Sequence, residues 1–208
     1  MFHGKPIIGI IGGIGSGKSF VAGLFGELGC VVIDSDRLVH AAYARPDIKA
    51  VLRERWGDEI FSTDGSLNRR AVAKRVFGNE AERQWLEGFI HPVVTADRDR
   101  IMAAEVAKPG VIGFVWDTPL LMETGANEQC DAVVFIDVPL PVRLARVASR
   151  GWTESDLLTR EKLQMPLDKK RSVADYVLSN AADEKSAREQ ASTILSSIIA
   201  SCGAAQRR

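Results

Sequence analysis

The sequence predicts an α/β fold built on a five-stranded parallel sheet, and three observations carry that reading. Short runs rich in Val and Ile alternate with stretches of helical spacing, the pattern of strands joined by crossover helices. Four of the runs show little polar alternation, as strands buried on both faces do. The first run passes straight into a glycine-rich loop that opens a helical stretch, an arrangement suited to holding anions.

Strands are expected at Ile7 to Ile11, Val31 to Asp34, Val111 to Asp117, Ala132 to Asp137 and Tyr176 to Leu178. Far more residues separate Asp34 from Val111 than one crossover helix requires, so this interval must hold an insertion. Its helical stretches are Pro46 to Trp56, Arg69 to Phe77, Glu80 to Phe89 and Pro92 to Ala107, with turn signals at Asp64-Gly65 and Gly78-Asn79. Trp56, Phe61, Trp85 and Phe89 read as its core rather than as ligand platforms. A second helical stretch, dense in arginine, is expected from Pro141 to Val173. The last, Asp183 to Ser201, carries Ala187, Ala191, Ile194, Leu195, Ile198 and Ile199 at a spacing that lays one face on the sheet. The tail from Gly203 is expected to fray.

At 208 residues the chain suits one core with insertions rather than two ordinary enzyme domains. With 46% hydrophobic and 26% charged residues it is not a disordered chain. Its 27 basic residues equal its 27 acidic ones, which argues against a dedicated nucleic-acid binder, since such proteins need a cationic surplus. The longest apolar runs, Pro6 to Ile14 and Val111 to Trp116, are too short to cross a membrane. The amino-terminal segment lacks a secretion signal, so the cytoplasm is expected. Cys30, Cys130 and Cys202, with no CxxC pair, read as reduced structural thiols.

After the first strand, Gly12-Gly13-Ile14-Gly15-Ser16-Gly17-Lys18-Ser19 fits GxxxxGK[ST]. Glycines let such a loop curl until its amides converge, and the following helix adds its dipole. Lys18 would reach the β- and γ-phosphates of a nucleotide, and the Ser19 hydroxyl would ligate magnesium. Phe20 follows, where a small polar residue is common; its amide still serves a phosphate. A plain glycine turn is the bland alternative. No NKxD guanine-reading motif occurs, so a small kinase is the favoured use of the loop.

The second strand runs into Asp34-Ser35-Asp36, at the carboxyl edge where α/β sheets place ligands. If the strand continues, alternation sends Asp34 and Asp36 to the same side. Either can hold magnesium through water or accept a hydroxyl proton, and either can equally be a cap or an Asx turn. Between Arg143 and Arg171, eight basic residues face four acidic ones, a local excess of +4 inside a neutral chain. Arg143, Arg146 and Arg150 fall at helical spacing, as a phosphate-gripping face or as a solvated one.

Read together, these segments resemble the dephospho-CoA kinases. The resemblance rests on GGIGSGKS (Gly12 to Ser19), IDSD (Ile33 to Asp36), DGSLNRRAVAKRVF (Asp64 to Phe77), His91-Pro92 and PLLME (Pro119 to Glu123). It continues through RLARVASR (Arg143 to Arg150), Gln164 and ADYVLSN (Ala174 to Asn180), nearly the whole chain in order.

The resemblance implies a three-layer P-loop kinase fold: a nucleotide-binding core at 1–45, 108–140 and 174–208, a helical acceptor-binding insertion at 46–107, and an arginine-rich lid at 141–173. It implies transfer of the γ-phosphoryl of ATP to the ribose 3'-hydroxyl of dephospho-CoA, with Mg2+, the last step of coenzyme A biosynthesis. ATP would lie on Gly13, Gly15, Ser16, Gly17, Lys18, Ser19 and Phe20. Asn180 resembles the family's adenine-contacting asparagine, though a turn asparagine needs no ligand. Asp36 would be the base; Asp36, Arg69, His91, Asp117, Pro119 and Leu120 would meet the acceptor, with His91 open to a core or capping role. Arg146 matches the arginine of the family's QLxR run and would join Lys18 in offsetting charge. Arg143 stands where the family usually has glutamine. Partners are then the two small substrates, with no nucleic acid or membrane, in a monomer or weak homo-oligomer. Rival readings are a kinase of a more compact acceptor and a module that holds ATP without transferring phosphate.

Overall fold

β1 (Ile7–Gly12) is buried at every position and pairs in parallel with two neighbours, which makes it the centre of the sheet. The computed structural model describes residues 1–205. The remaining strands are β2 (Cys30–Asp34), β3 (Gly113–Asp117), β4 (Ala132–Asp137) and β5 (Tyr176–Ser179), in the order β2-β3-β1-β4-β5. All pairings are parallel, as the runs predict. Uniform burial holds only for β1, β3 and, nearly, β4. β2 is an edge strand, and its Val32 is exposed, so the expectation of burial on both faces fails there.

The chain forms two compact units. The first holds Met1–Asp34 and the described chain from Met102 onward; the second holds Ser35–Ile101. In the first, α1 (Lys18–Glu27) and α9 (Glu184–Ala205) pack on the sheet through Val21, Leu24, Phe25, Ala187, Ala191, Leu195 and Ile198. Asp183 caps α9, its carboxylate accepting from the Ser186 amide at 2.9 Å. α9 runs through Gly203, where fraying was expected, because its apolar spacing keeps Cys202 against the core; the end of the expected tail lies outside the described residues.

The second unit contains α2 (Ser35–Ala44), α3 (Pro46–Trp56), α4 (Arg69–Val76) and most of α5 (Glu80–Glu105). Asn68 caps α4, accepting from the amides of Arg70 and Ala71. α5 corrects the expectation of separate helices at Glu80 to Phe89 and Pro92 to Ala107: one helix continues through Pro92. An interior proline costs about 3 kcal/mol. Trp85, Leu86, Phe89 and Ile90 before it, and Val93 and Val94 after it, pack on one core with Leu52, Trp56 and Ile60. Burying side chains of this size contributes roughly 1.5–3 kcal/mol each, which outweighs the break. Trp56, Phe61, Trp85 and Phe89 are all part of this cluster.

The arginine-rich stretch is three helices rather than one: α6 (Leu140–Ala148), α7 (Glu154–Glu161) and α8 (Leu167–Ser172). Gly151, at φ 78°, breaks the first, and Thr153 with Asp156 forms a capping box that starts the second. Pro166 precedes the third. Arg150 therefore lies beyond α6, and the three-arginine stripe is reduced to Arg143 and Arg146.

The three cysteines form no disulfide, and burial pushes the Cys30 thiol up to about 12. At pH 8.5 the native protein should alkylate at Cys30 slower than the urea-unfolded chain by about 100-fold or more. Mass-mapped iodoacetamide kinetics check this; equal rates would contradict the buried position.

Candidate active site

The parallel register fixes which residues share the carboxyl edge of the sheet. Gly12 stands opposite Ile136, and Asp117 opposite both Ile10 and Asp34. The chain leaves β1 for β2, across β3, and later returns to β4 on the other side, so the loop after β1 sits at the switch point where open α/β sheets bind ligands.

That loop is held by its carbonyls. Lys18 Nζ donates to Gly12 O at 3.1 Å and Gly13 O at 3.3 Å. Arg143 Nη1 donates to Ile14 O at 3.1 Å. Arg146 Nη1 reaches Gly15 O at 3.5 Å and Ser16 O at 3.2 Å, and Asn180 Nδ2 donates to Ser16 O at 2.8 Å. Each carbonyl from Gly12 to Ser16 thus faces a side-chain donor. In a planar trans peptide the C=O and the following N–H point in opposite directions. Pinning the carbonyls of Ile14 and Ser16 outward therefore turns the amides of Gly15 and Gly17 the other way, as an anion cradle needs.

The glycines are required by this closeness. Gly15, at φ 78°, would put a Cβ 2.8 Å from Arg143 O, and Gly17, at φ 83°, would put one 2.6 Å from Asn180 Nδ2. Ser16 is fully buried and its Oγ has no hydrogen-bond partner among the described residues, a polar orphan inside the loop. Ser19 and Phe20 lie in the first turn of α1, both exposed.

Arg146 and Asn180 form one brace: Arg146 Nη2 donates to Asn180 O at 2.7 Å, and the Asn180 amide donates to Asp137 O at 3.1 Å, tying the loop to the end of β4. Asp117 is buried at the end of β3; Pro119 is half-buried and Leu120 exposed in the turn segment beyond it. Glu123, at the end of that segment, pairs with Lys170 of α8 at 3.0 Å. Lys170 is almost fully buried and also donates to Gln164 Oε1 at 3.1 Å. Burial alone would raise the Glu123 carboxyl, but the Met165 amide at 2.7 Å and the Lys170 ammonium together hold it below its ordinary 4.5.

In the second unit, β2's successor helix α2 begins at Ser35, so the strand does not continue to Asp36 and the alternation argument lapses; Asp36 stands instead in the first turn of α2. His40 lies one turn along on the same face and its Nδ1 is hydrogen-bonded to Arg69 Nη2. Asp36 and Arg69 are thereby brought to one side of the unit, through a histidine the sequence reading did not select; its i,i+4 spacing from Asp36 was the available signal. His91 is exposed on α5. Among the described residues, no group of three His, Cys, Asp or Glu side chains is placed to hold a metal ion by itself.

The dephospho-CoA kinase family model matches residues 6–186. A dephospho-CoA kinase of Syntrophotalea carbinolica is 36% identical over 196 residues, covering 93% of this chain and 92% of the relative. One of Thermobifida fusca is 34% identical over 181 residues, covering 86% and 88%. Among solved structures, TT1252 from Thermus thermophilus superposes with a TM-score of 0.80 at 32% identity, covering 93% of this chain and 97% of that one.

Removing Lys170 leaves Glu123 without its cation. Lys170→Ala should lower unfolding stability by about 2 kcal/mol, the scale of a lost charge-assisted hydrogen bond, because Glu123 is partly solvated and keeps the Met165 amide. Denaturant melts check this; a loss under about 0.5 kcal/mol would contradict it. Because the Glu123 pKa is lowered on folding, its contribution is present above 4.5 and is lost as pH falls through the folded value. Glu123→Gln should accordingly melt with a shallower acid dependence than the parent chain below about pH 5.

Proposed function

This chain belongs to the dephospho-CoA kinase family, and we propose that it moves the γ-phosphoryl group of ATP onto the ribose 3'-hydroxyl of dephospho-CoA, giving CoA and ADP. The observation that carries this reading is the family match across residues 6–186, coinciding with a GxxxxGKS loop whose carbonyls are pinned outward at the switch point of the sheet.

ATP binds with its phosphates on the amides of Gly13, Gly15, Ser16, Gly17, Lys18, Ser19 and Phe20. Lys18, whose ammonium bridges the carbonyls of Gly12 and Gly13, supplies mobile positive charge at the loop. Arg146, fixed on Ser16 O, offsets phosphate charge from beside it, and Asn180 adjoins the base. The Ser19 hydroxyl is a hard oxygen of the kind that holds magnesium together with substrate phosphates. That ion, when bound, neutralises charge on the β- and γ-phosphates.

Asp36 accepts the proton of the acceptor 3'-hydroxyl and orients the oxygen for in-line attack. Arg69 and His91 of the insertion, with Asp117, Pro119 and Leu120, bind the acceptor; His40 steadies Arg69. We assign the acceptor cover to residues 46–107, the nucleotide lid to 141–173, and the core to the rest. No helix among the described residues is long and apolar enough to cross a membrane, and a cytoplasmic enzyme fits that.

Coupled ADP release measured with and without dephospho-CoA tests the reading. ADP formed only with the acceptor, and CoA as the second product, is expected; acceptor-independent hydrolysis would overturn it. Asp36→Asn should lose turnover by about 10²–10⁴-fold while still binding ATP. Lys18→Ala should lose it by about 10²–10³-fold, and near-parent rates in either variant would remove that residue from the mechanism.

A further inference from the structure

Arg143 of α6 is buried beside the phosphate loop and takes no part in the chemistry proposed above. Its side chain is only 6% exposed, and Nη1 is ion-paired with Glu161 of α7, itself 18% exposed. Both ends of this pair act on one residue of the phosphate loop. Arg143 Nη1 donates to Ile14 O at 3.1 Å, and Glu161 Oε1 accepts from Ile14 N at 3.2 Å. The fit is tight: a Cβ on Gly13 would lie 2.8 Å from Arg143 Nη1 and 3.0 Å from Glu161 Oε1.

We propose that Arg143 and Glu161 are a positioning pair for nucleotide binding, clasping Ile14 by both of its peptide groups so that the Gly15 amide is aimed before ATP arrives. The proposal rests on the kinase reading above.

The charges explain why both members are needed. Glu161 places a carboxylate against a loop that must receive phosphates, and by itself it would repel them. Arg143 neutralises it at contact distance while holding the Ile14 carbonyl. Losing Arg143 therefore does two things: it frees the Ile14 carbonyl, and it leaves a shielded anion beside the phosphate site. The second effect is curable. In Arg143→Gln the Glu161 charge stands uncompensated, whereas in Arg143→Gln/Glu161→Gln no anion remains. A pair that only glued α6 to α7 would behave otherwise. It would change melting temperature and leave nucleotide affinity alone.

ATP and ADP binding to the full chain, measured by titration calorimetry without acceptor, tests this directly, with melting temperature recorded for each variant. Arg143→Gln should weaken ATP binding by about tenfold, and adding Glu161→Gln should return it to within about threefold of the parent. The KM for ATP should follow the same order, while kcat at saturating ATP moves less than about threefold. Unchanged affinity in Arg143→Gln, or a double variant no tighter than the single one, would overturn the proposal. Should Arg143→Gln not fold, Glu161→Ala and Glu161→Gln decide. The alanine leaves the Ile14 amide without its acceptor and should weaken ATP binding about fivefold, and the glutamine keeps an acceptor and should not; equal affinities would overturn the clasp. A parent chain that binds ATP but shows no turnover with dephospho-CoA would sink the kinase reading without touching this one.

Discussion

Everything at the nucleotide end depends on side-chain donors that hold five consecutive carbonyls, Gly12 to Ser16, with those of Ile14 and Ser16 pinned away from the amides that follow them. A loop that offers amides to an anion must turn its carbonyls the other way, and a half-buried carbonyl without a donor is costly. Lys18, Arg143, Arg146 and Asn180 supply those donors. Three of the four come from distant parts of the sequence, so the cradle is built only when α6 and the segment after β5 have docked. Glycine at 15 and 17 is the other half of the same constraint, since a Cβ at either would strike Arg143 O or Asn180 Nδ2.

The sheet converts that local geometry into a site. Because β1 is central and its neighbours are parallel, the loop, Asp34 and Asp117 arrive at one edge without any loop having to reach for it. The pair between buried Lys170 and the more accessible Glu123 serves the same end farther along. It ties α8 to the segment that follows β3; Gln164 completes the polar shell the buried ammonium needs, and the Met165 amide donates to the carboxylate.

Local patterns were legible in the sequence. The Val/Ile runs gave five strands to within two residues at each end, and GxxxxGKS placed the loop between β1 and α1, because both signals are complete within a few residues. What failed needed tertiary context. Pro92 reads as a break, yet the apolar residues on both sides of it pack on one core and keep α5 whole. Arg143, Arg146 and Arg150 read as one stripe, but Gly151 and the Thr153 capping box end the helix first. Glu161 carried no signal at all, since nothing in its spacing connects it to Ile14. The roles of Arg143 and Asn180 as loop braces were invisible for the same reason: a carbonyl partner leaves no trace in composition.

Side chains that hold every carbonyl from Gly12 to Ser16 should fix the phosphate loop without help from nucleotide. Backbone 15N relaxation at Gly15 and Gly17 in the nucleotide-free protein tests it most directly. A preset loop predicts order parameters of about 0.85, equal to the strands and little changed by ATP. Values below about 0.6 that rise only when ATP is added would contradict it.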